Sequence, residues 1–408
     1  MGTIKEKLAL LAETKQAIKA AIEAQGQTVG DIPFSGYAEK IEGIQGMKLP
    51  DGVNLGYSVV REFPMRINTS GRKNFNRMFT DCQYLETAPE MDTSKGTNFE
   101  FMFNNCEKLT EAPVLETGKG VRFLRMFCNC HALRRVPVLD TSNGIMFQYM
   151  FSGCIALQEP PELDTSKGKD FSYMFSACKS LSRAPALNTS DGISFCNMFA
   201  NCNTLTEIPA LDTSQGRSFE SMFQNCEVLT ELPALNTSKG ERFDSMFSGC
   251  ASLSRVPALN TANGTRFDDM FYNCKELTEI PALDTSKGTY FRDMFHGCSK
   301  LTKITSIDLT NCNNSMEVPY NCPNLTYILM LNLGRNPEMT GLLTNNDIVW
   351  GTGGETNRQS LVDSLLTYSF NRAQAGYPPF RIPLPPRVRS LLTEEEKAAI
   401  TEKGFTLA

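Results

Sequence analysis

Fourteen cysteines and two histidines raise the first chemical question, because thiolates and imidazoles at fixed spacing bind metals, exchange disulfides or act as nucleophiles. Ten of the cysteines recur at a constant interval of 24 residues: Cys82, Cys106, Cys130, Cys154, Cys178, Cys202, Cys226, Cys250, Cys274 and Cys298. Side chains in a stacked column point the same way, which disfavours disulfides between neighbours, and Cys packs well as a small buried apolar group. Cys128, Cys196, Cys312 and Cys322 fall outside this column. Cys128, Cys130 and His131 form the nearest approach to a metal cluster, but no second pair at CxxC spacing completes it. No GxSxG, P-loop or HExxH motif occurs. The expectation is a non-enzymatic chain with no catalytic residue, no metal and no cofactor.

The cysteine interval belongs to a longer repeat. Met78 and nine further methionines at the same interval, ending at Met294, each follow one Phe by three residues and directly precede another. Those two columns hold 20 of the 26 Phe, so the unusual composition is one unit copied ten times, FxxMFxxCxxLxxxPxLDTSxG. A period of this size marks a solenoid, in which each coil buries its apolar side only by stacking on the next. Phe, Met, Phe and Cys at i, i+3, i+4 and i+7 predict one face of a two-turn helix, too short to stand alone in water. Residues 208–212 (IPALD) predict a short strand, and the Asp/Asn-Thr-Ser-x-Gly box predicts a turn whose Gly takes positive φ. Two residues before each Pro, the run Thr87, Glu111, Arg135, Glu159, Arg183 and its successors nearly alternate in sign, as side-by-side strands favour.

On this motif, residues 75–305 resemble the BspA-like branch of leucine-rich repeats, in the MFxxC variant with LDTS turns found in bacterial surface proteins and tailed-phage structural proteins. The resemblance implies an α/β fold, a leucine-rich-repeat solenoid of about ten 24-residue coils with N-terminal helices and a C-terminal capping region. It implies a recognition scaffold rather than an enzyme, because the family has no shared catalytic residue.

The first residues, TIKEKLALLAETKQAIKAAIEAQGQTVGDIPFSGYAEKIEGI, resemble the short helical leader of phage tail and fibre proteins. Ile4, Leu8, Leu11, Lys15, Ile18 and Ile22 step by four and three, a heptad seam with one Lys inside it. The seam predicts a homo-oligomeric coiled coil, with an amphipathic helix folded back on the solenoid as the alternative; the preference for a trimer comes from the phage resemblance. Phe34, Tyr37, Ile41 and Ile44 suggest a second short helix. The expected organisation is an anchor over 1–46, a cap over 47–74, the ten-repeat solenoid over 75–305 and a C-terminal cap of wider coils over 306–408. The 24-residue register is expected to lapse at Thr305, where Pro is missing. Beyond it, 324–333, 379–384 and the GFTLA ending read as strands, and 360–373 and 393–403 as helices.

A net charge of -5 without a basic cluster argues against a nucleic-acid partner. No run of eighteen apolar residues occurs, so membrane insertion is not expected. Residues 1–20 carry charge every few positions, so no standard secretory signal is expected and the chain is read as folding in a cytosol. Function is therefore sought in the irregular surface columns. Directly before each Met stand Arg77, Phe101, Arg125, Tyr149 and Tyr173, then Asn197, Ser221, Ser245, Asp269 and Asp293. The first five are residue types enriched at binding hot spots, and predict a contact surface for a sister subunit and the N-terminal helix or for an external ligand. Tyr272, Tyr290 and His296 form a smaller candidate patch. Together these point to a phage virion appendage, tail-fibre-like or head-fibre-like, assembled in the host cytoplasm. It would join other virion proteins through its N-terminal segment and bind a host cell-surface glycan or protein; the alternative is a bacterial cell-surface adhesin.

Overall fold

The structure, a computed structural model, describes residues 15, 16, 19, 20, 55, 61, 66–313, 321–325, 327–331, 362–367, 369, 371–376, 379–382 and 389–407. They fall in two compact units, Met1–Asp191 and Gly192–Ala408. Residues 15, 16, 19 and 20 are helical, while Ile4, Leu8, Leu11, Ile18, Ile22 and the second short helix over 34–44 lie outside the described residues.

In the first unit the FxxMFxxC segment is a run of turns, not the predicted two-turn helix. Alternate amides serve two different coils. Phe75, Arg77, Phe79 and Asp81 donate to the carbonyls of Asn98, Glu100, Met102 and Asn104 on the next coil at 2.8–2.9 Å. Between them, Met78, Thr80 and Cys82 donate three residues back within their own coil at 3.2 Å. An α-helix would commit every amide to its own segment and leave the coils joined by side chains alone. Here the buried backbone groups are satisfied and the stack is stitched by the same bonds. The geometry requires left-handed backbone at two positions per coil, φ 58° at Arg77 and 62° at Asp81 in the first full copy. The apolar spacing is shared by helix and turn run, which is why the sequence suggests the wrong one.

Phe75, Met78, Phe79, Cys82 and Leu85 and their successors are fully buried. The rings stack coil on coil: Phe79, Phe103 and Phe127 lie 5.2 and 5.5 Å apart, within 2° of parallel. Parallel bridges run Asn74–Asn98–Arg122–Met146–Asp170 on one side and Thr87–Glu111–Arg135 on the other. Among the described residues of this unit only β1 (Arg66–Ile67) and β2 (Glu90–Met91), paired in parallel, extend beyond single bridges. The predicted strand before LDTS is thus reduced to isolated bridges, because the Pro column has no N–H to continue a ladder.

The repeat glycine also differs from expectation. Only Gly71 among these turn glycines has positive φ, at 80°. At Gly120 the constraint is space: a Cβ would lie 2.5 Å from Phe123 Cζ and 3.0 Å from Phe99 Cε2. The turn itself is tied by Asp and Thr. Asp140 Oδ1 accepts from the Ser142 amide (3.1 Å) and hydroxyl (2.7 Å), and the buried Thr141 hydroxyl donates to the Asp164 carbonyl of the next coil at 2.9 Å.

The second unit repeats this coil, with bridges Ser194–Ser218–Arg242–Arg266–Tyr290 and its own stacked Phe columns. The register does not lapse at Thr305. Cys322 stands 24 residues after Cys298, has left-handed Asn321 before it (φ 52°), and donates its thiol to the Phe295 carbonyl at 2.9 Å as Cys298 does to Phe271 and Cys274 to Phe247. It therefore belongs to the column, contrary to the sequence expectation. Thr305 replaces Pro and restores an amide, and here the Glu279–Lys303 bridge lies at the start of a six-residue strand, β3 (Lys303–Asp308). This strand pairs in parallel with β4 (Tyr327–Leu331), keeping the 24-residue step from Lys303 to Tyr327 before a bulge shortens it. Beyond lie a π-helical turn (Asp363–Thr367) within the predicted 360–373 helix, and a parallel pair of β5 (Phe380–Ile382) and β6 (Phe405–Leu407). Between β5 and β6, α1 (Glu394–Glu402) opens on a capping box of Thr393 and Glu396.

Gly120→Ala should lower stability by about 1–3 kcal/mol, because two packed rings must move. Urea unfolding checks this; an unchanged midpoint would show that the rings yield freely.

Candidate functional site

The residue before each Met sits at one of the two left-handed positions. In the second unit that position holds Asn197, Ser221, Ser245, Asp269 and Asp293, at φ 52–54°. Three of these are Asn or Asp, the types that visit left-handed backbone most readily. In the first unit the same backbone carries Arg77, Phe101, Arg125, Tyr149 and Tyr173, at φ 54–59°. Bulky side chains there cost on the order of 1 kcal/mol each. The coil does not need them, since the second unit forms the same turns with small residues.

The structure brings these five together as a strip. The Arg77 guanidinium lies 4.7 Å from the Phe101 ring, and Arg125 lies 5.8 Å from Phe101 and 4.3 Å from Tyr149. Tyr149 stacks on Tyr173 with centroids 4.4 Å apart. Arg77 is exposed and the other four are half-buried. The Thr80 hydroxyl donates to the Phe101 carbonyl at 2.6 Å, holding the strained turn. Each cation–π contact contributes about 0.5–1 kcal/mol at such a surface, and the tyrosine stack a similar amount. These gains roughly offset the backbone cost, so the strip adds little net stability. Its neighbouring column, two residues after Met, is small here: Thr80, Asn104, Cys128, Ser152 and Ser176.

In the second unit the bulk moves to that neighbouring column, where Tyr272 and His296 lie 4.8 Å apart with rings tilted by 37°. His296 Nδ1 lies 3.3 Å from Asp293 Oδ1. Tyr290 does not join them; its ring lies under the Arg266 guanidinium at 4.7 Å, in the column four before Met. Sequence reasoning missed the charge network beside it. Arg242 meets Glu220 at 2.7 Å and Asp244 at 3.3 Å, Arg266 meets Asp244 at 2.5 Å and Asp268 at 3.4 Å, and Arg292 meets Asp269 at 3.6 Å and Asp293 at 3.8 Å. The available signal was an acid two before Met facing an Arg four before Met one coil on. Burial pushes the Asp268 and Asp269 carboxyls above their usual range, and the nearby arginines oppose this. A shallow open groove of about 720 Å³ elsewhere in this unit is lined only by repeated turn residues such as Ala258, Asn260 and Ala282.

The cysteine column is structural. All fourteen cysteines are thiols and thirteen are buried. Ladder thiols donate to carbonyls of the preceding coil, Cys82 to Leu55 at 3.4 Å and Cys130 to Phe103 and Cys250 to Phe223 both at 3.1 Å. Cys130 is thus directed away from Cys128, whose thiol is paired with Ser152. Among the described residues no cluster of three metal-ligating side chains occurs. Burial pushes the ladder thiols up, Cys250 to about 12.

A family model described as "Mycoplasma protein of unknown function, DUF285" matches four overlapping stretches, 61–133, 115–208, 163–255 and 217–327. No curated protein matches the chain. Among solved structures, the chain is similar to a leucine-rich repeat protein from Bacteroides ovatus, at 16% identity and a TM-score of 0.37, covering 66% of this chain and 82% of that one. It is also similar to the functional domain of InlJ from Listeria monocytogenes, which includes a cysteine ladder, at 12% identity and a TM-score of 0.24, covering 80% and 74%.

The raised thiols set a pH dependence. The unfolded chain releases its thiol protons near pH 9 while the folded chain retains them, so stability is complete below that value and falls as pH rises toward 12. Each such thiol withdraws about 1.4 kcal/mol per pH unit in that window. Between neutral and alkaline pH the urea midpoint should fall less for Cys250→Ala than for the parent; equal pH dependence would contradict the assignment.

Proposed function

We propose that this chain, which belongs to the DUF285 repeat family, is a non-enzymatic recognition scaffold that binds a host surface molecule through the strip of Arg77, Phe101, Arg125, Tyr149 and Tyr173. The observation that carries this reading is the contrast at one backbone position. Small residues serve the coil in the second unit, whereas the first unit retains bulky Arg and aromatic side chains at a conformational cost. Such residues, half-buried and stacked on one another, are preorganised for contact, which lowers the ordering cost of binding. The Tyr272–His296 pair is a secondary contact in the same scheme.

The N-terminal segment supplies self-association, as a trimer, and attachment to other structural proteins. Its resemblance to phage leaders supports a virion appendage, fibre-like and assembled in the host cytoplasm. A second setting, a bacterial surface adhesin, draws on the family description, which names a Mycoplasma protein. Neighbouring genes separate the two: tail or capsid genes support the virion, and export genes support the adhesin.

Replacing Phe101, Tyr149 and Tyr173 with Ser should leave the fold intact and weaken adsorption to host cells roughly tenfold or more, as loss of hot-spot residues does. Unchanged adsorption would overturn the reading. Light scattering of the full chain should give a trimer, and deletion of residues 1–46 a monomer; a monomeric full chain would refute the oligomeric anchor.

A further inference from the structure

The strip carries two positive charges that no carboxylate of the described chain answers. Arg77 and Arg125 lie against Phe101 and Tyr149 and make no ion pair or side-chain hydrogen bond among the described residues. Several other arginines of the repeat are committed to carboxylates. Arg122, in a nearby column of the same unit, meets Glu100 at 3.5 Å. In the second unit Arg242, Arg266 and Arg292 each meet two carboxylates. The two strip guanidiniums are therefore positioned by aromatic rings while their planar donor forks remain uncommitted, the arrangement suited to a carboxylate supplied from outside.

Spacing narrows the class. Coils joined by backbone hydrogen bonds advance by about 4.8 Å, so Arg77 and Arg125, two coils apart, present charges about 10 Å apart with an aromatic ring between them. An extended peptide repeats side chains on one face every 6.6 Å or so, which does not match this step. An extended chain of six-membered sugar rings advances by about one coil step per ring, so acidic groups on alternate sugars fall in register with the arginines. Tyr149 and Tyr173 continue the line with phenolic hydroxyls, which both donate and accept hydrogen bonds as sugar hydroxyls require.

Building on the recognition reading above, we propose that the strip binds an extended acidic polysaccharide bearing carboxylates on alternate sugars. Two uronate groups are received by Arg77 and Arg125, and the intervening and following sugars lie along Phe101, Tyr149 and Tyr173.

Calorimetric titration of the full chain with a hyaluronan oligosaccharide, whose uronates alternate with neutral sugars, tests this directly. Chitooligosaccharide serves as the neutral control and poly-L-glutamate as the peptide control. Binding to hyaluronan alone is expected, weakening with salt, and falling roughly tenfold or more in Arg77→Gln/Arg125→Gln, with each lost charge-assisted contact contributing. Arg77→Lys/Arg125→Lys, which keeps charge but loses the planar stacking fork, should fall between. Unchanged thermal unfolding of the Gln variant separates loss of contact from loss of fold. Equal binding of chitooligosaccharide would overturn the role of the charges, and equal binding of poly-L-glutamate would overturn the glycan class. If none of the three binds while the serine variants still lose host adsorption, the glycan inference fails and the recognition reading stands; if adsorption also survives those substitutions, both fail.

Discussion

The coil depends on a division of labour along one short backbone segment. Amides at alternate positions reach the next coil, and those between them close turns inside their own. A buried peptide group left without a partner would cost more than most side-chain contacts return, so this alternation governs what may stand at each position. It imposes left-handed backbone before each Met and before each Cys. It also points Phe, Met, Phe and Cys inward together, where the rings stack at the coil step and the thiols cap carbonyls of the preceding coil. The position before Cys shows how the chain accommodates this: it is Asn or Gly in most copies, and the Asn129 side-chain amide donates to Asn105 Oδ1 at 2.8 Å.

The position before Met has the same backbone requirement and a different history of residues in the two units. Asn, Ser and Asp are compatible with both turn and solvent. Arg, Phe and Tyr are compatible with the solvent only through one another, by stacking. Contacts of that size roughly balance the conformational cost, so folding gives no strong reason to keep them. A surface with bulky, ordered side chains and no net stabilising role is where a recognition function is sought. In the second unit, by contrast, Arg242, Arg266 and Arg292 pair with Glu220, Asp244, Asp268 and Asp269.

Much of this was legible in the sequence, and the misreadings have physical causes. The period, the buried columns and the burial of the cysteine ladder followed from spacing alone, because stacking makes every copy repeat its environment. The helix was misread because i, i+3, i+4 and i+7 describes a face of a helix and of this turn run equally well. The strand before LDTS was overestimated because the missing amide of Pro interrupts the ladder, and Thr305 shows the converse, since β3 extends where the amide returns. Cys322 reads as outside the array because the Phe-Met-Phe signature is absent before it, although the 24-residue interval persists. The turn glycine was assigned to backbone freedom when the ring of Phe123 occupies the space of its side chain. The five-residue strip was identified correctly as a column, but its left-handed backbone, which distinguishes it from ordinary surface decoration, has no sequence signal at Arg, Phe or Tyr.

The account rests on left-handed backbone at the residue before Met being a requirement of the coil that the strip meets at a cost. Calorimetric melting of Tyr149→Asn beside Tyr149→Val tests it most directly, because the two replacements remove the same ring and differ in their tolerance of that conformation. The account predicts that the Asn variant melts within about 2 °C of the parent and the Val variant several degrees lower, on the order of 4 °C or more. Equal melting temperatures for the two variants would contradict it.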